Sequence, residues 1–305
     1  MPTRRLRPLA VVVLALGALT LAAANAQTPE RKEIAASASV SGIYQADGDV
    51  DGGGKAGWSG LLVNGGWSVQ TTPQLKLGFT LQYDYQDWRF SNPAAFGGAA
   101  PWSKLNLLNL GIALDYAYQP DLLIGVSPIV GWSYETGASS SDVLDYGAIV
   151  TVTKVFSPQF VLGAGVGVFR QVDETKVFPI VIIRWQIDDH WRLQNPFRAG
   201  PTGGAGVELA YAFDDRWEAG VGGAYRSYRF RLDDQGFAPG GVGENRFIPV
   251  FARVTRKIGE ASRLDFYAGV STSGRLSVDS STGNSLARVD YNTAALLGLT
   301  FAHRF

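Results

Sequence analysis

The stretch LKLGFTLQYDYQDW, Leu75 to Trp88, alternates without a slip. Leu75, Leu77, Phe79, Leu81, Tyr83 and Tyr85 share one parity, and Lys76, Gly78, Thr80, Gln82, Asp84 and Gln86 share the other. Successive side chains of a strand point to opposite faces, whereas a helix brings apolar residues back every three or four positions. The stretch is therefore a strand with one apolar and one polar face. It exceeds the ~5–6 residues of an ordinary soluble strand and covers the ~9–11 that cross a bilayer at a tilt.

The same period recurs. Between Arg263 and Val278, Leu264, Phe266, Ala268, Val270, Leu276 and Val278 oppose Arg263, Asp265, Tyr267, Ser271, Ser273 and Arg275. At the end of the chain Leu297, Leu299, Phe301 and Phe305 alternate with Gly298, Thr300, Ala302 and Arg304. Short turns are expected at 71–74, 119–121, 157–159, 188–190, 214–216 and 259–262. Longer connections rich in Gly, Ser, Pro and Asp are expected at 47–56, 89–103, 135–142, 173–176, 195–202, 233–246 and 279–287. These thirteen connections imply fourteen strands, or twelve if the short stretch from Trp191 to Ala199, broken by Pro196, is not a strand. An even strand count with turns on one side and long loops on the other is the layout of an outer-membrane barrel. The expected fold is all-β, an antiparallel transmembrane up-and-down β-barrel of about 14 strands, alternatively 12. Backbone groups in hydrocarbon must all be paired within the protein, so such a sheet has to close. Tyr116, Tyr118, Phe156, Phe160, Trp185, Trp191, Phe213 and Trp217 cluster beside the short turns, as an interfacial girdle does. Pro128, in mid-strand, predicts a bulge.

Composition agrees. Of 305 residues 46% are hydrophobic and 18% charged, with a mean hydropathy of +0.02. A secreted β-sandwich of this size would carry a more densely charged surface. The chain has no cysteine, which excludes disulfides, thiolate catalysis, cysteine metal sites and a lipidated N-terminal cysteine. Its 27 basic and 27 acidic residues balance only because of Arg4, Arg5 and Arg7. Those arginines precede an apolar run from Leu9 to Leu21 and then Ala24-Asn25-Ala26, the three-part pattern of a secretory signal peptide. The expected domains are a signal peptide over 1–26 and an outer-membrane barrel over 27–305, placed in the outer membrane of a Gram-negative bacterium. The remaining body is mildly acidic, which argues against nucleic acid as a partner.

Candidate chemistry is sparse. His190 falls in a short turn and His303 near the chain end, so no catalytic residue is expected. Glu208 and Glu218 read as lumen groups facing arginines. Asp47, Asp49, Asp51 and Gly52 begin like a calcium loop, but the twelfth position is Trp58 where the ion needs a bidentate Glu. No metal and no cofactor is expected. Parity turns thirteen charges inward: Lys76, Asp84, Asp115, Arg184, Glu208, Arg253, Lys257, Arg263, Asp265, Arg275, Arg288, Asp290 and Arg304, with bases in excess.

Two resemblances follow from these residues. The terminal strand with Leu297, Leu299, Phe301 and Phe305 resembles the C-terminal signal that barrel-assembly machinery recognises, with His303 where an apolar residue is usual. The body, especially Trp191-Arg192-Leu193-Gln194-Asn195-Pro196 and then Gly203-Gly204-Ala205-Gly206, resembles an uncharacterised family of outer-membrane proteins known as a domain of unknown function. That resemblance implies the barrel and its partners, outer-membrane lipid and lipopolysaccharide, but no activity.

The expected function is a passive channel for small polar solutes, favouring anions through the inward bases. The alternative is a non-conducting interaction barrel that binds an envelope partner through the loops at 89–103 and 233–246, with Phe90, Phe96, Trp102 and Phe237. Uptake of apolar molecules is a weaker third reading, since Gln27 to Glu33 is too short for a plug.

Overall fold

The computed structural model describes residues 34–139, 143–198 and 200–305. The signal peptide expected at 1–26 lies outside the described residues. In chain order the strands are β1 Ile34–Asp49, β2 Lys55–Gln70, β3 Leu75–Ser91, β4 Lys104–Gln119, β5 Leu122–Glu135, β6 Leu144–Ser157, β7 Phe160–Gln171 and β8 Glu174–Gln186. They continue with β9 Trp191–Gln194, β10 Gly206–Ala212, β11 Trp217–Ala224, β12 Arg226–Arg231, β13 Val242–Ile258, β14 Ser262–Asp279, β15 Ser285–Tyr291 and β16 Ala294–Arg304.

From β1 to β11 consecutive strands pair antiparallel, and β1 pairs with β16 from Ser37↔Arg304 to Gln45↔Leu296, which closes the sheet. β11 and β12 both pair with β13, and β15 and β16 both pair with β14. The sixteen segments among the described residues thus make fourteen wall strands. β9 is only four residues long but pairs on both sides, with β8 and β10, so the stretch after Trp191 counts as a strand.

Outward residues form an exposed apolar band that includes Val40, Phe79, Val152, Val181, Val221 and Leu299. At the turn end the rings make contact along the rim. Phe156 stacks on Phe160 at 5.2 Å, Phe160 meets Trp185 at 5.7 Å, and Trp191 meets Tyr211 at 4.9 Å. The turns repeat one device. Oδ1 of Asp188 accepts from the N–H groups of His190 and Trp191, and Oδ1 of Asp214 does the same for Arg216 and Trp217. Carboxylates that bond the backbone two and three residues on are Asx turns, which fix a tight reversal locally.

The bulge expected at Pro128 is not there. Pairing with β6 passes through Pro128↔Ala148 undisturbed, while pairing with β4 stops at Gly111↔Ile129 and resumes at Leu114↔Val126 in the same register. The missing N–H interrupts one ladder without adding a residue. A register shift does occur between β13 and β14, at Arg246/Ile248, opposite Ser273, a non-glycine residue with φ of 53°. There β14 gains one residue, and everything beyond it changes face.

Candidate functional site

The lumen is built by the inward parity, and β3 shows its layers in one column. From turn end to loop end the inward residues are Lys76, Gly78, Thr80, Gln82, Asp84, Gln86, Trp88 and Phe90. Lys76 and Thr80 are exposed, Asp84 and Gln86 buried, and above them the column becomes aromatic. The lumen is therefore open below, polar and packed at mid-height, and filled at the loop end.

The filling is a hydrophobic core. Trp58, Trp88, Trp102, Phe230, Phe247 and Leu276 are buried together. Trp58 stacks on Trp88 at 6.1 Å, Trp88 meets Trp102 edge-on at 5.4 Å, and Trp102 meets Phe230 edge-on at 5.2 Å. Such pairs add about 0.5–1.5 kcal/mol each beyond the burial of their area. The loop aromatics expected to meet an envelope partner are part of this core: Phe96 and Trp102 are buried, and Phe90 and Phe237 pack against it. Glu135 ties the two loops together, accepting from Ser103 N at 2.7 Å and from Asp233 N at 3.1 Å.

One strand partitions the lumen. β11 pairs with β10 as far as Ala224↔Gly206, and its continuation β12 then leaves the wall and reaches β5 at Arg231↔Tyr134. From Tyr228 to Arg231 both faces of β12 are buried. Tyr228 and Phe230 face the aromatic core, while Arg229 and Arg231 face β7 and β8. On that side a latch of ion pairs joins Arg231 to Asp173 at 3.0 Å, Lys176 to Glu244 at 2.6 Å and Arg229 to Glu244 at 3.4 Å.

At mid-height two sectors differ. In the sector from β10 to β16, Arg253 is 3% exposed and is bonded to Glu208, to Glu218 at 2.6 Å and to Asp265 at 3.5 Å. Arg192 pairs with Glu218 at 2.7 Å and Arg263 with Asp265 at 3.1 Å, so three guanidinium groups balance three carboxylates. The connection after β9, at 195–198 and 200–205, folds inward and closes this sector. Arg263 lies over the ring of Phe197 at 3.7 Å, and an added Cβ on Gly298 would stand 2.6 Å from Pro201. In the sector from β3 to β8, Thr80, Ser127, Thr151 and Thr153 keep contact with water, between glycines at 111, 125, 163 and 165. Under β12 it ends in a cavity of about 210 Å³ whose lining includes Asp84, Asn109, Asp145, Phe169, Tyr225 and Arg226.

Of the thirteen inward charges expected, Lys76, Asp115, Arg184, Lys257 and Arg304 stand exposed in the lumen near the turn end, and Arg263 is half-buried there. Asp84, Glu208, Arg253 and Asp265 are buried in ion pairs at mid-height, Asp84 with Arg226 at 3.6 Å. Arg275, Arg288 and Asp290 are corrected: they lie on the outer face. The extra residue at Ser273 turns Leu276 and Val278 inward, and Arg275 and Asp290 pair outside with side chains 42% and 51% exposed. The insertion-signal residues Leu297, Leu299, Phe301 and Phe305 are exposed on the outer face. Residues not foreseen as lumen charges are Lys176, Arg192, Arg226, Arg229, Arg231 and Glu244. Parity along β11 already turns Glu218 inward, and its continuation past Ala224 does so for Arg226; the departure of β12 from the wall has no such signal.

A closed antiparallel barrel of fourteen strands, apolar outside and polar within, defines the chain as a β-barrel of the outer-membrane type. The chain belongs to the family described as Domain of unknown function (DUF6268), whose model matches residues 131–295. No curated protein sequence matches it. Among solved structures it is similar to the COG4313 outer membrane channel from Pseudomonas putida F1, with 10% identity over 92% of this chain and 100% of that one and a TM-score of 0.49. It is also similar to the toluene transporters TodX of Pseudomonas putida (12% identity, 90% of each chain, TM-score 0.41) and TbuX of Ralstonia pickettii (10%, 89% and 88%, 0.42).

Proposed function

We propose that the chain is a narrow outer-membrane channel for small polar solutes, with its short turns in the periplasm and its loops outside. One observation carries the reading: on the inward face of the sector from β3 to β8, Thr80, Ser127, Thr151, Thr153, Gly163 and Gly165 stay accessible between the turn end and the cavity beneath β12. Four exposed bases, Lys76, Arg184, Lys257 and Arg304, face one exposed acid, Asp115, at that mouth, which favours anions there. The Arg253 cluster does not contribute to this preference, because its charges cancel. The latch on the polar side of β12 is the loop-end gate, since its pairs reach water through Asp173, half exposed, and Lys176, about a quarter exposed, whereas the aromatic core on the other side is fully packed.

Planar-bilayer recording of residues 27–305 tests the reading. Discrete small conductance steps with a reversal potential on the anion side are expected, and Asp173→Ala with Lys176→Ala should raise the open probability. A bilayer that stays tight at all voltages would overturn it. Partners in this reading are outer-membrane lipid and lipopolysaccharide around the apolar band, and the barrel-assembly machinery through the terminal strand.

A further inference from the structure

The wall is not complete at every height. β8 runs thirteen residues, yet β9 pairs with it only from Arg184 to Gln186. Above Arg184 no strand among the described residues pairs with that edge. The strand beyond the gap, β12, pairs on its own outer edge only through Arg231. Asn195 ends the ladder. Its side chain accepts from Ile183 N at 2.9 Å and donates to Val181 O at 3.0 Å, and its N–H donates to Ile183 O at 3.2 Å. Odd residues of β8 therefore aim their backbone groups at the gap, and the next of them is Pro179, which has no N–H to leave unpaired. Proline in a sheet belongs on an unpaired edge, so the sequence is fitted to an open edge here.

The opening is framed on all sides. Asn195 and Gly206 bound it below, Tyr225 and Ser227 across, and the Lys176–Glu244 pair above. From Val177 to Val181 the free edge is roughly 13 Å long at 3.3 Å per residue. It lies at membrane depth, because the outward residues beside it, Val177 at 65% exposure and Val181, belong to the apolar band. Behind it the lumen face is apolar. Phe178, 39% exposed, stacks on Phe169 at 5.6 Å, and Phe169 lines the cavity together with Tyr225. The cavity itself balances Asp84 and Asp145 against Arg226 and Arg229, so it can bond a polar end group without demanding a charge.

We infer that the gap between β8 and β12 is a lateral port, through which small uncharged amphiphiles with an apolar or aromatic body and one hydrogen-bonding end group pass between the membrane and the lumen. The apolar body lies against Phe178 and Phe169 while the end group reaches the polar cavity. This adds a second entrance to the channel proposed above and a solute class that the axial gate does not serve.

The chain lacks cysteine, so single cysteines report cleanly. Phe178→Cys (lumen side of the port), Val177→Cys (outer face) and Ile149→Cys (lumen side, walled by strands on both sides) would each carry a bimane label in phosphatidylcholine vesicles containing acyl-chain nitroxide lipid. Quenching at position 178 should approach that at 177 and exceed that at 149 at least threefold; quenching at 178 equal to that at 149 would overturn the port. In the same vesicles a trifluoromethyl-phenyldiazirine bearing a hydroxymethyl group should photolabel Phe169, Phe178, Ile180 or Tyr225, several-fold more than its carboxylate analogue. Labelling of the outer band alone would overturn the solute class. Conductance without quenching at 178 removes the port and leaves the axial channel, whereas quenching and labelling in a tight bilayer leave the port and remove the axial channel.

Discussion

The sector from β10 to β16 and the sector from β3 to β8 belong to one sheet and face one lumen, yet they solve opposite problems. In the first, long charged side chains and an inward loop fill the space, and each buried charge has a partner because an unpaired one would cost several kcal/mol. In the second, glycine and threonine keep the wall thin, and the charges stay in water near the turn end, where they are cheap to hold and act on whatever passes. Charge count is thus a poor guide to a pore: Arg253 is buried and bonded to three carboxylates, while Lys76 and Arg184 stand unburied in the lumen.

Removing the centre of the packed sector should have the largest effect. Arg253→Met leaves Glu208, Glu218 and Asp265 without their common partner and is expected to destabilise the barrel by about 3–5 kcal/mol, read as a lowered urea midpoint in vesicles. Replacing Glu208, Glu218 and Asp265 by Gln in the same background should recover part of the loss; no loss from Arg253→Met would mean that the cluster is not a structural unit. Phe230→Ala opens a cavity in the aromatic core, at a cost of about 3–5 kcal/mol, and should also raise conductance by loosening the loop end. Unchanged conductance in a folded variant would confine the gate to the ion-pair latch.

In the open sector the signs reverse. Lys76→Glu, Arg184→Glu and Lys257→Glu together should move the reversal potential toward cations, with stability within about 0.5 kcal/mol per site, as for other exposed positions. A stable variant with an unchanged reversal potential would show that the turn-end mouth does not set selectivity.

The smallest effect belongs to the turns, outside the membrane. Backbone N–H groups hold the carboxyls of Asp188 and Asp214 below their ordinary value of 3.8. A depressed folded value means that the stabilisation is complete above the unfolded value and disappears as pH falls through the folded one. Asp188→Ala and Asp214→Ala should therefore lower the urea midpoint slightly at pH 7 and by less at pH 2. An equal loss at both pH values would show that the turns act without their charge.

Much of this was legible in the alternation that begins at Leu75. Period two names the face of each residue, so the strand count, the girdle at Trp185 and Trp191, the outward Leu297 and Phe301 and the exposed mouth charges could all be read from parity. Trp88 was within reach as well, since it continues the inward column of Asp84 and Gln86. Parity fails where one residue is added: Ser273 moved Arg275, Arg288 and Asp290 to the other face, and nothing in their composition marks the bulge. It also says nothing of what enters the lumen from elsewhere. The inward fold of the connection at Gly200 and Pro201 and the departure of β12 depend on long-range contacts with Tyr267, Gly298 and Tyr134, which no local pattern contains.

The most direct test of the two-sector lumen is the blocking of current by a charged methanethiosulfonate at single introduced cysteines. Thr151→Cys and Ser127→Cys in the open sector should react from the turn side and reduce conductance, while Ser271→Cys and Thr300→Cys, fully buried in the packed sector, should remain unmodified with current unchanged. Equal reaction and equal block in the two sectors would contradict the account.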